Sequence, residues 1–396
     1  MSHRIIVLGA GYAGACAAGS LARRLHSDDV EITVVNATPD FVERIRLHQL
    51  AVGRKPRHYG LVEMFQGTAI RLRLARVTDV DAGQRIVTVT DGESSEQLEY
   101  DTLLYTLGST IAENGVAGVG EYAFHVAERP SALRLRQRLQ ELGETERVLL
   151  VGGNLTAIEA ATEIAESRPE LQVTLATSGE LGGWLAPKTR RHLREAFDRF
   201  GIAVHEHTTI ARVEKNAAIA TDGSVFESEA TVWAAGFAVS PIAAASGLAV
   251  ADDGRIIVDR RMRSVSHPEV YAAGDSGYAI GSNGQPLPMS CFSAQRMRMQ
   301  ATAAIVAELT GRTISTPPIG YLGNCVSLGR KDAIFQLVDG NARSTSWVLR
   351  GRVAARAKAA ILRGAAWNMG HPTYGLPTRR KRVPSAPHRL TEMVAD

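Results

Sequence analysis

Cysteine is scarce in this sequence, which contains only Cys16, Cys291 and Cys325 in 396 residues. These residues are far apart and form no CxxC or CxxxxC pair. Closely spaced thiols are needed for a disulfide scaffold, a zinc knuckle or a dithiol redox centre. The spacing therefore excludes these three kinds of site, and we predict no bound metal ion.

Long apolar runs are absent too. No stretch of about 18 apolar residues occurs, so we expect no membrane-spanning segment. The N-terminal residues MSHRIIVLGAG lack the apolar core of a secretion signal. With 45% hydrophobic and 22% charged residues, the chain has the composition of a globular protein, and we expect it in the cytoplasm.

Positive charge is concentrated near the C-terminus. Residues 343–396 contain eleven Lys or Arg and two acidic residues, whereas the rest of the chain contains 34 basic and 39 acidic residues. A body with net negative charge does not attract a phosphate backbone, so we expect no nucleic-acid partner.

The N-terminal segment HRIIVLGAGYAGACAAGSLARRL predicts a strand, a glycine-rich turn and a helix. Gly9 suits a tight turn, Gly11 lets the backbone approach a pyrophosphate, and Gly14 permits close packing of the helix on the strand. The next predicted strand, VEITVVN, ends at Asn36, where an acid usually holds the ribose hydroxyls. The amide oxygen of Asn36 can still accept a hydrogen bond there. We predict a dinucleotide site at this turn.

Two later segments indicate that this dinucleotide is FAD. YDTLLYTLGS ends in Gly108, and HPEVYAAGDSG places Asp275 directly after a predicted strand. In these segments the sequence resembles the flavoprotein reductases with two dinucleotide domains, and the resemblance implies that Asp275 hydrogen-bonds the ribityl chain of FAD. Independently, the carboxyl end of a strand is where open α/β sheets bind ligands.

Residues 151–163, VGGNLTAIEAATE, repeat the strand–turn–helix pattern in an altered form. Gly152 is present, but Asn154 and Ala157 replace the second and third glycines. The following strand ends at Thr177, where an acid would specify NAD, and no arginine follows directly to hold the extra phosphate of NADP. Two interpretations remain open: a working nicotinamide site in which Asn154 contacts the cofactor, or a fold element kept after its ligand was lost.

Seven segments follow one another in residues 1–310: GAGYAG, FVERIRLHQLAVG, YTLGS, GGNLTAIEAATE, VWAAGF, VYAAGD and SAQ. Their order makes this part of the chain similar to the type II NADH dehydrogenases. These are NAD(P)/FAD-dependent oxidoreductases of the pyridine nucleotide-disulfide reductase superfamily, here without its redox cysteine pair. The resemblance implies that NAD(P)H passes hydride to FAD, and that reduced FAD passes electrons to a quinone or a quinone-like small molecule. The FAD contacts that it implies are Gly9, Gly11, Gly14, Val77, Gly108, Asp275, Ala294 and Gln295.

The resemblance also implies catalytic positions. Glu159 matches a glutamate near the nicotinamide–flavin junction, and Gln295 belongs to the stretch beside the flavin and the quinone channel. Met299 stands where relatives have a glutamine, which removes a hydrogen-bond donor for a quinone. The helix that we predict to begin near Ser293 would stabilise negative charge on reduced flavin by its dipole. His48 lies in the segment that approaches the flavin in relatives and is either a proton donor or a structural residue.

The C-terminal segment GRVAARAKAAILRGAAWNM (351–369) has a helical pattern with basic residues on one face. Ile361 and Met369 lie roughly opposite, and Lys358 interrupts the apolar side. Such a helix either lies on an anionic membrane surface, packs on the flavin domain, or forms a homodimer contact. We expect the following segment PTRRKRVPSAPHRL to be a flexible end.

Together these features predict an α/β protein with two Rossmann-like dinucleotide-binding domains, the NAD domain being inserted in the FAD domain, plus a small C-terminal domain. The predicted ranges are 1–111 and 233–310 for the FAD domain, 112–232 for the NAD(P)-like domain, and 311–396 for the C-terminal domain and basic tail. One alternative is a flavoprotein dehydrogenase or oxidase that acts directly on an organic substrate and carries a vestigial NAD(P) domain. Another is a flavin-binding sensor without catalysis.

Overall fold

The computed structural model describes residues 2–339, 343–375 and 378–384. The strands are His3–Leu8, Val30–Asn36, Ile70–Leu74, Arg76–Asp81, Ile86–Thr90, Ser95–Glu99, Thr102–Tyr105, Ser109–Ile111, Arg147–Val151, Gln172–Ala176, Ala203–His205, Ile210–Glu214, Ala217–Ala220, Val225–Glu227, Ala230–Trp233, Phe237–Val239, Ile256–Ile257, Val270–Ala272, Gly277–Tyr278, Gly323–Ser327, Ala333–Val338 and Ser344–Arg350. The α-helices are Gly14–Arg24, Leu47–Ala51, Leu61–Phe65, Val119–Tyr122, Arg129–Glu141, Leu155–Ser167, Pro187–Arg199, Ile242–Ala245, Cys291–Leu309 and Gly351–Gly370.

A first parallel sheet, here called the first sheet, has His3–Leu8 at its centre. Thr102–Tyr105 and then Val270–Ala272 lie on one side, and Val30–Asn36 and then Ile70–Leu74 lie on the other. The central strand is fully buried from residue 5 to residue 8, as expected for an apolar run covered on both faces. The sheet therefore combines strands from before and after the middle of the chain.

A second parallel sheet, here called the second sheet, repeats this arrangement with residues from the middle of the chain. Its order is Ala203–His205, Gln172–Ala176, Arg147–Val151 and Ala230–Trp233. The helix Leu155–Ser167 follows the central strand and buries an alanine-rich face against it. Two parallel sheets, each with a turn and a helix after its central strand, confirm the predicted α/β fold with two Rossmann-like units.

Antiparallel strands complete the fold. Each parallel sheet is accompanied by a three-stranded meander, at residues 76–99 and 210–227. After the long helix Cys291–Leu309, the strands Gly323–Ser327, Ala333–Val338 and Ser344–Arg350 form a small sheet, on which the helix Gly351–Gly370 packs. We call this last helix the terminal helix.

The terminal helix reaches back to the first unit of the chain. Met369 is buried and its sulfur lies 3.4 Å from the sulfur of Cys16, which belongs to the helix after the first turn. Ile361, which the sequence placed on the apolar side, is 55% exposed. Among the residues that the structure describes, no helix is long and apolar enough to cross a bilayer.

The expectation of a flexible end is wrong for residues 378–384, although residues 377 and 385–390 of that segment lie outside the described part. The N–H of His26 donates to the carbonyl of Lys381 at 2.9 Å, and the N–H of Lys381 donates to the carbonyl of Arg24 at 2.8 Å. Arg382 also pairs with Asp29, at 3.0 Å. Backbone pairing and a carboxylate therefore hold this basic stretch against the first unit.

Candidate functional site

The predicted FAD residues meet at the carboxyl edge of the first sheet. The turn Gly9–Gly14 follows the central strand, Asn36 ends the strand on one side, and Gly108 and Asp275 follow the two strands on the other side. Because all these strands are parallel, their carboxyl ends lie at the same edge, which is where open α/β sheets bind dinucleotides. Residues separated by more than 260 positions are thereby brought to one cleft.

The three glycines of the first turn have different surroundings. Gly9 has a φ of +88°, and an added Cβ would lie 2.6 Å from the carbonyl oxygen of Thr106. A Cβ on Gly14 would lie 1.8 Å from the carbonyl oxygen of Gly9. In contrast, a Cβ on Gly11 would meet nothing within 4 Å. Gly9 and Gly14 are thus required for packing, whereas Gly11 faces open space beside the turn, as a ligand-binding position needs.

The turn also offers hydrogen-bond donors. The backbone N–H groups of Gly11, Tyr12 and Ala13 have no partner within the described chain, and they stand at the start of the helix Gly14–Arg24. Asn36 supports the turn, because its Oδ1 accepts from the N–H of Ala10 at 2.8 Å. Its Nδ2 donates to the carbonyl of Thr38 at 2.7 Å. A contact between Asn36 and the ribose stays a prediction, and it would use the second lone pair of Oδ1.

Asp275 is held on one side and open on the other. Its Oδ2 accepts from the hydroxyl of Ser109 at 2.6 Å and lies 3.4 Å from Nη1 of Arg44. Its Oδ1 has no partner among the described residues. Gly108 approaches the same corner, because its N–H donates to the hydroxyl of Ser276 at 3.0 Å. The carboxylate is therefore fixed in position with one oxygen left to accept a hydrogen bond.

Several buried polar atoms around this cleft have no hydrogen-bond partner within the described chain. They include the Tyr12 hydroxyl, Nη2 of Arg44 and Oε2 of Glu43, whose other oxygen Oε1 lies 3.2 Å from Nε of Arg46. Burial raises the pKa of Glu43, and the positive charge of the nearby Arg46 opposes this rise. Since buried polar groups are normally satisfied, such a cluster indicates that a polar ligand completes it. Together with the open face of Gly11, it shows that the residues present fit FAD.

The helix Cys291–Leu309 begins two residues before the predicted Ser293. The hydroxyl of Ser290 caps it by accepting from the N–H of Ser293 at 3.1 Å. Ala294 is buried and faces Gly274, whereas Gln295 is exposed and lines a groove on the outer side of the helix. Val77 is buried in the strand Arg76–Asp81. Flavin contacts for Ala294, Gln295 and Val77 stay predictions.

The second turn is also closely packed. A Cβ on Gly152 would lie 2.4 Å from the carbonyl oxygen of Ala234. Asn154 has extended backbone and caps the helix: its Oδ1 accepts from the N–H of Ala157 at 3.0 Å, and its Nδ2 donates to Ala234 at 2.8 Å. Its amide is therefore used within the protein. The N–H groups of Leu155 and Thr156 are among those with no partner in the described chain, so the turn keeps donors for a phosphate.

Glu159 lies one turn into the same helix and forms a buried ion pair with Lys358 of the terminal helix. Their side chains are 13% and 11% exposed. The N–H of Ser327 donates to Oε1 of Glu159 at 2.9 Å, and Nζ of Lys358 donates to the carbonyl of Cys325 at 3.1 Å. Burial acts to raise the pKa of Glu159, but Lys358, with help from His48 and Ser327, outweighs it and lowers that pKa. The carboxylate thus stays ionised.

His48 completes this group, which we call the Glu159–Lys358–His48 cluster. It is 6% exposed and its Nε2 has no hydrogen-bond partner within the described chain. Burial lowers the pKa of His48, opposed by Glu159 and assisted by Lys358. His48 is therefore a neutral imidazole near pH 7 with one ring nitrogen open to a ligand or a proton donor. The structure gives it a buried position between three parts of the chain.

The cluster adjoins the start of the helix Cys291–Leu309. The ring of Tyr321 packs edge-on against Phe292 in this helix, with centroids 6.0 Å apart. The Tyr321 hydroxyl donates to Asn324 at 2.8 Å, next to the Cys325 carbonyl that Lys358 binds. The cluster therefore lies where the first unit, the second unit and the small C-terminal sheet meet.

Sequence reasoning missed Lys358, Arg44 and Tyr12 as site residues. Lys358 is 199 positions from Glu159, and no motif connects them. The available signal was a lysine on the otherwise apolar side of a predicted helix, which indicates a buried partner. No group of three or more His, Cys, Asp or Glu side chains in the described ranges is arranged to hold a metal ion.

Comparisons with known proteins agree with this geometry. Residues 3–305 match the family model described as pyridine nucleotide-disulphide oxidoreductase. An NADH dehydrogenase-like protein of Mycobacterium tuberculosis is 27% identical, covering 84% of this chain and 87% of the relative. A type II NADH:quinone oxidoreductase of Staphylococcus haemolyticus is 24% identical, covering 84% and 89%. The solved sulfide:quinone oxidoreductase of Aquifex aeolicus has the same fold, with a TM-score of 0.80, 19% identity and coverage of 94% and 93%.

The match extends over both Rossmann-like units and so confirms the family resemblance that the motifs indicated. It also confirms the predicted cofactors, because the family comprises flavoproteins that use pyridine nucleotides. This chain belongs to the pyridine nucleotide-disulphide oxidoreductase family and is an FAD-dependent NAD(P)H oxidoreductase.

Proposed function

We propose that this oxidoreductase passes electrons from NAD(P)H through FAD to a quinone or a quinone-like small molecule. The Glu159–Lys358–His48 cluster is the observation that carries the proposal. It places a lysine, an ionised carboxylate and a neutral imidazole at the junction of the two dinucleotide units. The names of similar proteins, which include a type II NADH:quinone oxidoreductase, support the same acceptor class.

The proton balance of this reaction explains the use of such a cluster. Reduction of a quinone to a quinol consumes two electrons and two protons. NAD(P)H supplies both electrons and one hydrogen nucleus as hydride, so one further proton comes from solvent. The ammonium group of Lys358 and the open nitrogen of His48 are positioned to hold and pass on that proton.

When bound, FAD accepts hydride from the reduced nicotinamide and supplies electrons to the acceptor. The chain's own residues bind and orient the reactants. Gly11, Tyr12 and Ala13 present backbone N–H groups to the FAD phosphates, and Asp275 offers Oδ1 to the ribityl chain. Leu155 and Thr156 would present backbone N–H donors of the second turn to the nicotinamide dinucleotide.

Glu159 acts on Lys358 in this proposal. A carboxylate that accepts a hydrogen bond from Lys358 fixes the ammonium group in one position, and the Ser327 N–H fixes the carboxylate. His48 lacks such a partner on Nε2, so that nitrogen is free to exchange a proton. The alternative of direct dehydrogenation of an organic substrate is not favoured, because the similar proteins are named as NADH-linked enzymes.

An anaerobic experiment tests the proposal. NADH or NADPH added to the FAD-loaded protein should bleach the visible flavin absorbance, and a short-chain benzoquinone or naphthoquinone added next should restore it. Bleaching without restoration by any quinone would reject the quinone acceptor and keep the NAD(P)H reaction. No bleaching by a large excess of either nucleotide would reject the whole scheme.

Two matched variants test the role of the cluster. Glu159→Gln should slow quinone-dependent reoxidation at least tenfold and change its pH dependence, because Lys358 loses its charged partner. Glu163→Gln is the control, since Glu163 is buried one turn further along the same helix and pairs with Arg54 and Arg330 instead. Equal slowing by both variants would indicate a general loss of structure and contradict a role for the cluster.

A further inference from the structure

A groove lies outside the proposed flavin cleft, between three helices of the first and last parts of the chain. Its walls are Gly14–Arg24, Cys291–Leu309 and the terminal helix, and its volume is about 820 Å³. Cys16 and Thr302 are buried in its floor. Sites for small organic ligands have volumes of roughly 300–1,000 Å³, so the groove is large enough for one.

The polar side of this groove is cationic. Arg23, Arg24 and Arg298 line it, and none of the lining residues is acidic. Arg24 and Arg298 form no ion pair or side-chain hydrogen bond within the described chain. Other arginines of this protein do pair with carboxylates, as Arg147 does with Glu229 at 2.7 Å. Arg24 and Arg298 are thus half-buried cations of the groove without a carboxylate partner among the described residues.

Neighbouring cations strengthen the positive potential. Burial lowers the pKa of Arg24, and the adjacent Arg23 lowers it further. Burial also lowers the pKa of Lys381, with Arg312 and Arg24 acting in the same direction. The charged forms of Arg24 and Lys381 are therefore disfavoured by burial and by neighbouring positive charge, and an anion bound beside them would offset both effects.

The other side of the groove is apolar. Met299 is 49% exposed and Ile361 is 55% exposed, and both side chains line the cavity. Tyr374 adds a largely exposed aromatic ring at its edge. Exposed apolar groups beside Arg24 and Arg298 form a surface that is charged at one end and apolar at the other.

We propose that this groove binds an amphiphilic anion, whose phosphate or carboxylate head contacts Arg24 and Arg298 and whose apolar arm lies on Met299 and Ile361. Guanidinium groups hold such oxyanions through paired N–H donors, and the apolar arm gains by burial. The same chemistry is found in a free acyl or alkyl phosphate and in the headgroup region of an anionic lipid. This inference goes beyond the proposed electron transfer and does not depend on it.

Calorimetric titration of the FAD-loaded protein with octyl phosphate, below its micelle concentration, tests the proposal. Octyl phosphate should bind at least tenfold more tightly than inorganic phosphate or octanol, because only the amphiphile contacts both sides of the groove. Arg24→Gln combined with Arg298→Gln should weaken its binding at least tenfold. Ile361→Gln should weaken the binding of octyl phosphate more than it weakens the binding of inorganic phosphate.

The control is Arg134→Gln, which removes an exposed arginine from the helix Arg129–Glu141 far from the groove. Equal affinity of octyl phosphate for the wild type and the double arginine variant would overturn the proposal, as would equal affinity for octanol. Flotation with phosphatidylglycerol vesicles but not with phosphatidylcholine vesicles, lost in the double variant, would identify the source as a lipid. Binding of octyl phosphate without flotation would identify a free molecule.

Discussion

Replacing Lys358 with methionine removes the charge that faces Glu159 and keeps an unbranched side chain of similar length. In the wild-type protein, Glu159 has a lowered pKa because Lys358, His48 and the Ser327 N–H outweigh the effect of burial. The ionised form of Glu159 therefore stabilises the folded protein at pH values above the ordinary pKa of a glutamate. This stabilisation is lost as the pH falls through the lowered pKa of Glu159. In Lys358→Met, burial dominates and the carboxyl group is protonated on folding.

The expected loss of stability in Lys358→Met can be derived from the cost of protonating Glu159 and from its burial. Protonating a glutamate costs about 1.4 kcal/mol for each pH unit above its ordinary pKa of about 4.3, which gives about 3.7 kcal/mol at pH 7 and about 1.6 kcal/mol at pH 5.5. Breaking a buried ion pair typically costs about 3–5 kcal/mol. The Ser327 N–H remains and 13% of the Glu159 side chain is exposed, so we expect about 2–4 kcal/mol at pH 7.

Urea unfolding at fixed protein and FAD concentrations, measured between pH 5 and pH 8, checks this prediction. The free energy of unfolding of Lys358→Met should fall further below that of the wild type as the pH rises. Adding Glu159→Gln to the variant should restore most of the loss, since no buried charge then remains. Lys188→Met, which removes an exposed lysine, should change stability by less than about 0.5 kcal/mol.

A loss that does not vary with pH would refute the reasoning, because it would show that the side-chain volume of Lys358 matters and its charge does not. Failure of Glu159→Gln to restore stability would refute it as well. Either result would also remove the support that the cluster gives to the proposed proton transfer.

Four further substitutions have defined outcomes. Gly14→Ala should prevent correct folding, because the added Cβ would lie 1.8 Å from the carbonyl oxygen of Gly9. Gly11→Ala should fold normally but retain at least tenfold less FAD, as measured by flavin absorbance after gel filtration. Asp275→Ala should weaken FAD retention without unfolding, and unchanged flavin content would show that its free oxygen does not contact the cofactor. Asn154→Gly should lower the KM for NADH severalfold with little change in kcat, because the backbone N–H of Ala157 is then released for a phosphate. The substitution should lower the free energy of unfolding by only a few tenths of a kcal/mol. A raised KM would show that the Asn154 side chain binds the nucleotide.

The first turn could be predicted from sequence because its backbone conformation requires glycine at fixed positions. Gly9 and Gly14 are needed where a side chain would collide with backbone, and Gly11 lies where a side chain would occupy the open space that we predict for the ligand. These requirements depend on the turn itself and on Thr106 after the neighbouring strand of the same parallel sheet. The same holds for Asp275, which directly follows a strand of that sheet.

The Asn154 position was harder to interpret, because an asparagine is compatible with opposite functions. As a phosphate ligand it would leave its amide open, and as a helix cap it uses that amide on the backbone. The structure shows the cap, with both amide atoms bonded to Ala157 and Ala234. The second of these partners lies 80 positions away, so the sequence around Asn154 does not contain the information.

The pattern of residues 351–369 predicted the terminal helix, but the contacts of this helix, which matter for the site, could not be predicted. At Lys358 it contacts Glu159 of the second unit, and at Met369 it contacts Cys16 of the first unit. These positions are eleven residues apart, or about 16 Å along an α-helix, and thus one rigid element joins the two dinucleotide units. Of the three roles that the sequence left open for this helix, packing on the flavin domain is the one that the Met369 contact agrees with. Because Lys358 lies on the same helix, the contact between the two units and the position of Lys358 in the proposed proton-transfer cluster depend on one element.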